Sequence, residues 1–220
     1  MQVVFQMDLR FEVDDKDMAF TYVNDVKGTL NQMDTRVLLN EMSMTAVNSK
    51  YVETGSYLGC SAVLAGLTMK RGALIYCHDL WLEDMSLLPE NGIPPPMVNK
   101  QLYEFYKNIK SNDLEGVVIP IRGDSSYTLG IHDDNTIDLA FIDGDHSKEG
   151  VQRDLEAVFP KMKNGGSILC HDCYTNSETL DGVKKFCIEH NIDDITGFKG
   201  SSILKIAVKK NHHDQASVSG

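Results

Sequence analysis

Three short stretches carry residue types and spacings that could do chemistry. Asp143-Gly-Asp145-His146 puts two carboxylates and an imidazole at the end of the apolar run Leu139-Ala-Phe-Ile142. A buried strand seldom ends in such a group of ionisable side chains unless they hold a ligand; a solvated turn is the alternative. His171-Asp172 closes a second apolar run, Ser167-Ile-Leu-Cys170, with another imidazole and acid. The third stretch is Glu53-x-Gly55-x-x-x-Gly59, set between the strand-like Tyr51-Val52 and the helix-like residues 61–69. Gly55 permits a tight turn and the approach of a ligand to the backbone, and Gly59 lets the helix begin close to the strand. Free N–H groups at that helix start favour an anionic ligand group such as a carboxylate or phosphate. A tight strand-to-helix turn needs glycine whether or not it binds anything, so the turn alone decides nothing.

The elements that must position these groups alternate between strand and helix. Tyr51 and Val52 read as a buried strand, 61–69 as a helix, and 73–79 as a second strand ending in Asp79. That acid follows the glycine turn by roughly 25 residues, the spacing at which a βαβ unit presents a carboxylate to a ribose. Capping of a following turn is the competing role for Asp79. Residues 116–122 form a third strand, and Gly123-Asp124-Ser125 at its end could recognise a base edge or cap the next helix. Residues 138–143 and 167–172 are the fourth and fifth strands, with helices at 97–110, 148–159 and 177–190 and a turn at 163–166. Two last strands, 195–198 and 203–208, read as an antiparallel hairpin.

Other segments are less regular. Residues 1–14 alternate loosely as an extended arm or edge strand, a candidate homodimer contact, and 15–26 and 33–47 read as helices. Residues 81–96 hold three consecutive prolines and the lone tryptophan and read as a lid or specificity loop, or as a plain surface insertion. The tail 209–220 is polar and small and is expected to be disordered. The domain plan is therefore a helical cap over 1–48, one domain over 49–208, and a tail.

Composition narrows the function classes. The chain has 220 residues, 42% hydrophobic and 24% charged, which suits a single α/β domain. A net charge of −11 disfavours nucleic acid and acidic lipid, and the pairs Lys161/Lys163 and Lys209/Lys210 are too sparse for a basic patch. Five cysteines in mostly apolar contexts imply reduced thiols, and Cys170/Cys173 without a second pair do not suggest structural zinc. With neither a signal peptide's basic start nor an apolar run of about 18 residues, the expectation is a soluble, cytoplasmic protein without membrane contact.

In order and spacing these strand tips resemble the class I S-adenosylmethionine-dependent methyltransferases. The matching stretches are Val52-Glu-Thr-Gly-Ser-Tyr-Leu-Gly-Cys-Ser61, Phe141-Ile-Asp-Gly-Asp-His-Ser-Lys-Glu-Gly-Val-Gln-Arg-Asp-Leu155 and Gly165-Gly-Ser-Ile-Leu-Cys-His-Asp172. They look most like the small-molecule branch that includes metal-dependent sugar O-methyltransferases. The resemblance implies a Rossmann-like, doubly wound, mostly parallel seven-stranded sheet that ends in an antiparallel β-hairpin, with helices on both faces. It also implies that Glu53, Gly55, Ser56 and Tyr57 line the methionine end of the cofactor, Asp79 the ribose, and Asp124 with Ser125 the adenine. Gly59, Ser61, Leu80, Gly123 and Asp143 complete the cofactor-contacting set. A divalent ion, magnesium or manganese, would be held by Asp143, His171 and Asp172, although His171 stands where the family pattern has a carboxylate. The base would be Asp145 or His146, with His146 favoured because a near-neutral pKa suits proton removal. The implied activity is methylation of a hydroxyl on a sugar, glycan or other small polyol, with phenolic acceptors as the nearest variant. A nicotinamide oxidoreductase is the alternative enzyme class, disfavoured because Gly55-x-x-x-Gly59 lacks the GxGxxG pattern. A non-catalytic cofactor-binding module is the third.

Overall fold

A computed structural model describes residues 11–13, 21–81 and 100–209. Strands β1 (Phe11–Val13), β2 (Thr21–Val23) and β3 (Val26–Gly28) form a small antiparallel sheet, followed by helix α1 (Gln32–Met44). The helix expected across 15–26 is thus replaced, from residue 21 on, by a hairpin. Asn24 and Asp25 both adopt positive φ, 46° and 68°, the conformation a two-residue hairpin turn requires and that Asn and Asp tolerate. Flanking Thr-Tyr-Val and Val-Lys-Gly then pair as strands. The N-terminal arm before residue 11, the stretch 14–20, the proposed loop after Trp81 and the tail from 210 lie outside the described residues.

The main sheet is built from β4 (Lys50–Thr54), β5 (Leu74–Asp79), β6 (Val118–Arg122), β7 (Ile137–Ile142), β8 (Met162–Cys170), β9 (Ile195–Gly197) and β10 (Leu204–Ala207). Their order is β6-β5-β4-β7-β8-β10-β9, parallel from β6 to β8, with β10 antiparallel to both β8 and β9. The expected seven-stranded sheet and terminal hairpin are therefore present. Helices α2 (Cys60–Thr68), α3 (Lys100–Ser111), α4 (Ser125–Thr128), α5 (Lys148–Val158) and α6 (Ser177–Glu189) complete the fold. The expected turn at 163–166 lies instead within β8, where the pairing jumps from Ile137–Met162 to Leu139–Ser167. Gly165, at φ 84°, carries this irregularity.

Side-chain alternation along the strands assigns the two faces. Tyr51, Ile75, Phe141 and Leu169 enter one core with Leu38 of α1, Leu64 of α2 and Phe105 of α3. Their neighbours Val52, Ala140, Ile142 and Ile168 enter the other with Leu155 of α5 and Phe186 of α6. A strand covered on both sides must be apolar throughout, which is why these runs do not alternate with polar residues.

Register brings the tips together. Thr54 pairs with His78 and with Ile142, and Ile142 pairs with Cys170. Gly55, Asp79, Asp143 and His171 consequently leave the sheet at the same edge. Strand order reverses between the adjacent β4 and β7, and that switch point is where open α/β sheets form a ligand crevice.

Candidate functional site

On the β4 side, the Glu53 side chain is fully buried. Tyr51 Oη donates to Glu53 Oε2 at 2.9 Å. Burial pushes the Glu53 carboxyl up from its ordinary value. The Ser56 and Ser61 hydroxyls beside it oppose that shift by hydrogen bonding. Gly55 turns the chain at φ 79°, and a Cβ there would collide with the Asp143 backbone carbonyl. A narrow cleft of about 20 Å³ runs between Gly28–Leu30 and residues 55–61, with Ser61 and Asp143 in its wall.

Asp79 closes the next part of the edge. Its Oδ2 accepts from Tyr57 N at 2.8 Å and its Oδ1 from Trp81 N at 2.6 Å, which pins the two loops to each other. The Trp81 indole donates to the Tyr57 carbonyl at 2.8 Å and packs edge-on against Phe105, centroids 5.0 Å apart. Leu80 is exposed, and Gly123 N donates to the Asp79 carbonyl at 3.0 Å. Asp124 caps α4, accepting from Ser126 N at 3.0 Å and Ser126 Oγ at 2.6 Å. Ser125 Oγ donates at 2.5 Å to Asp154, a buried acid on α5 whose carboxyl burial pushes up.

On the other side of the switch point lies a charged cluster. His171 is buried, with Asp143 Oδ1 2.8 Å from Nδ1 and Asp34 Oδ2 3.2 Å from Nε2. Burial opposes its charge, but Asp143 and Asp34 outweigh burial and carry its pKa up to about 10. His146 Nε2 sits 3.1 Å from Asp172 Oδ2 and 3.5 Å from Asp143 Oδ1. Asp143, then Asp172, raise the His146 pKa to about 10. The His146 contact in turn lowers Asp172, which also accepts from Thr175 Oγ1 at 2.5 Å. Asp145 faces elsewhere: Oδ1 takes Ser147 N at 2.9 Å and Oδ2 takes Arg153 at 3.2 Å, at the start of α5. The Ser147 hydrogen bond keeps its carboxyl low. Ligand atoms of Asp143, His146 and Asp172 all lie within 4.8 Å of one another, a spacing that suits a small cation. His171, the residue expected as a ligand, instead bridges two carboxylates with both ring nitrogens.

Residues 52–173, more than half of the chain, match the family described as a methyltransferase domain. The chain belongs to that family. It is a class I S-adenosylmethionine-dependent methyltransferase. Solved structures share its fold: the O-methyltransferase NovP, at 18% identity and TM-score 0.63, covers 81% of this chain with 79% of its own. A candidate caffeoyl-CoA O-methyltransferase from Staphylococcus aureus has 13% identity and TM-score 0.63 over 85% of this chain and 87% of its own. A methyltransferase from Geobacter sulfurreducens has 12% identity and TM-score 0.58 over 82% and 80%. No curated protein gives a significant sequence match.

The methyltransferase thus gathers Glu53, Ser56, Asp79, Gly123 and Asp143 along one edge of the sheet. Sequence reading missed Asp34, Asp154 and Thr175. Asp154 lay inside a quoted motif, where an acid before Leu155 was the available signal. Asp34 lies 137 positions from His171 and reads locally as a helix-capping acid, a role it also fills. No helix among the described residues is long and apolar enough to cross a membrane, and the five cysteines are buried and outside any disulfide.

Proposed function

We propose that this methyltransferase methylates a hydroxyl oxygen of a small polyol such as a sugar, with His146 as the proton acceptor. The observation that carries the reading is the convergence of His146, Asp143 and Asp172 beside the β4–β7 crevice. S-adenosylmethionine, when bound, supplies an electrophilic methyl group. Glu53 Oε1 and Ser56 would receive its amino-acid end, Asp79 its ribose, and the Gly123–Ser125 turn its base. Held there, the cofactor would supply its methyl group to the acceptor oxygen, its sulfur keeping the C–S electron pair. The acceptor oxygen's proton passes to His146 Nε2. Alignment of oxygen and methyl at about 3–3.5 Å is the main contribution asked of the protein.

His146 cannot accept a proton while the two carboxylates hold it as imidazolium. Asp143 and Asp172 suit a magnesium or manganese ion, which would balance their charge in place of that proton and acidify the acceptor hydroxyl. Asp145, committed to the α5 start, is left with a structural part. A phenolic acceptor is the second reading. It is favoured by Tyr174 and Phe198 in the wall of a cavity of about 740 Å³ that also includes Thr175. Methyl transfer from labelled cofactor to panels of glycosides and phenols, with and without chelator, tests both readings. Binding of NAD without binding of S-adenosylmethionine would refute the cofactor assignment, and turnover unchanged by chelator would remove the ion.

A further inference from the structure

Asp34, at the third position of α1, lies outside the matched segment 52–173 yet is 1% exposed and reaches three separate parts of the molecule. Its Oδ1 accepts from Ser201 Oγ at 2.6 Å, from Ser202 N at 2.7 Å and from Ser202 Oγ at 3.3 Å. Its Oδ2 accepts from Asn31 N at 3.1 Å and faces His171 Nε2 at 3.2 Å. A capping acid needs only the Asn31 contact. The remaining partners join the α1 start and the turn between β9 and β10 to the tip of β8. Both ends of this knot bear on the site. His171 holds Asp143 on its other nitrogen, and Asn31, Ser201 and Ser202 line the cavity that adjoins Thr175 and Asp172.

Resting on the O-methyltransferase reading above, the geometry points to Asp34 as a positioning residue for catalysis. Through the His171 imidazole it fixes the direction of the Asp143 carboxylate, and its other oxygen holds Ser201 and Ser202 in the cavity wall. Asp143 holds the imidazole at Nδ1, and Asp34 supplies a second hold at Nε2. Acid-histidine pairs behind a functional carboxylate or ion typically alter affinity or activity by about 10- to 100-fold when the outer acid is lost.

The test uses the full chain labelled with ¹⁵N-histidine, as wild type, Asp34→Asn and Ser201→Ala. In the wild type the His171 Nε2–H signal is expected to be slow to exchange. Asp34→Asn should speed that exchange at least tenfold, weaken binding of Mn²⁺ alone and lower kcat, each by about 10- to 100-fold. The Kd for S-adenosylmethionine should stay within twofold. Ser201→Ala, which leaves the Asp34–His171 pair intact, should keep the slow His171 signal and the Kd for Mn²⁺ within threefold while lowering the melting temperature. A wild-type His171 ring without a protected Nε2–H overturns the inference, and this holds even if Asp34→Asn fails to fold. So does a folded Asp34→Asn with unchanged His171 signal and kcat. A wild type that neither binds S-adenosylmethionine nor transfers methyl refutes the underlying reading instead, and the His171 signals still decide the role of Asp34.

Discussion

At the scale of single residues, the site turns on what surrounds each titratable group. His146 was expected to be near neutral from its type alone, and Asp143 and Asp172 raise it to about 10. If it is the proton acceptor, methyl transfer measured in chelator should climb about tenfold per pH unit between pH 7 and 9, because the neutral fraction climbs so. Added Mg²⁺ or Mn²⁺ should move that rise to lower pH. A flat profile over this range, with and without ion, would reassign the base. His146→Ala should lower kcat by about 10²–10⁴-fold. Asp145→Ala should leave kcat almost unchanged and lower stability by about 0.5–1.5 kcal/mol, through loss of the acceptor for Ser147 N. Glu53→Gln removes a charged acceptor from the crevice, so calorimetry should show S-adenosylmethionine binding weakened by about 1.5–3 kcal/mol, more than tenfold.

At the scale of elements, the strand-to-helix turn after β4 is the most constrained piece. Gly55 has positive φ and no room for a Cβ against the Asp143 carbonyl, so relaxation has to move one of two adjacent strand tips. Gly55→Ala should destabilise the protein by at least about 1–3 kcal/mol, read as a lower urea midpoint. It should also abolish cofactor binding even where the variant stays folded. The hairpin of β2 and β3 teaches the opposite lesson. Val23, Val26 and Leu30 are buried against the α2 side of the sheet, and their spacing mimicked a helical stripe. The Asn24-Asp25 pair was the sign of a turn, and it outweighs periodicity over so short a window.

At the scale of the whole molecule, acid stability depends on a buried pair of histidines behind the β5 tip. His78 Nε2 lies 3.0 Å from His132 Nε2, and His78 Nδ1 lies 2.8 Å from Thr128 Oγ1. Burial, then the neighbouring His132, lowers His78 to about 3, and burial, then Lys50, lowers His132 to about 4. Because the folded values lie below the unfolded value of about 6.5, the unfolded chain binds more protons in between. Stability from the neutral pair is therefore complete above pH 6.5 and is lost as pH falls toward 4 and then 3. Urea midpoints should drop across that window, and His132→Gln should flatten the drop. An equal slope in both proteins would show that other groups carry it.

What residue order alone determined was local: apolar strands, the glycine turn, the capping residues, the closing hairpin and the acids placed at strand ends. Each of these is written in neighbours a few positions apart, where propensity and backbone geometry act. From them the parallel sheet and the methyltransferase family were legible. Strand register and helix docking decided the rest. They turned Asp145 toward Ser147 and Arg153, set His146 between two carboxylates, and brought Asp34 across 137 positions to His171. Charge and hydrogen-bond energies depend on distance and burial in space, and a chain position specifies neither until the sheet has closed.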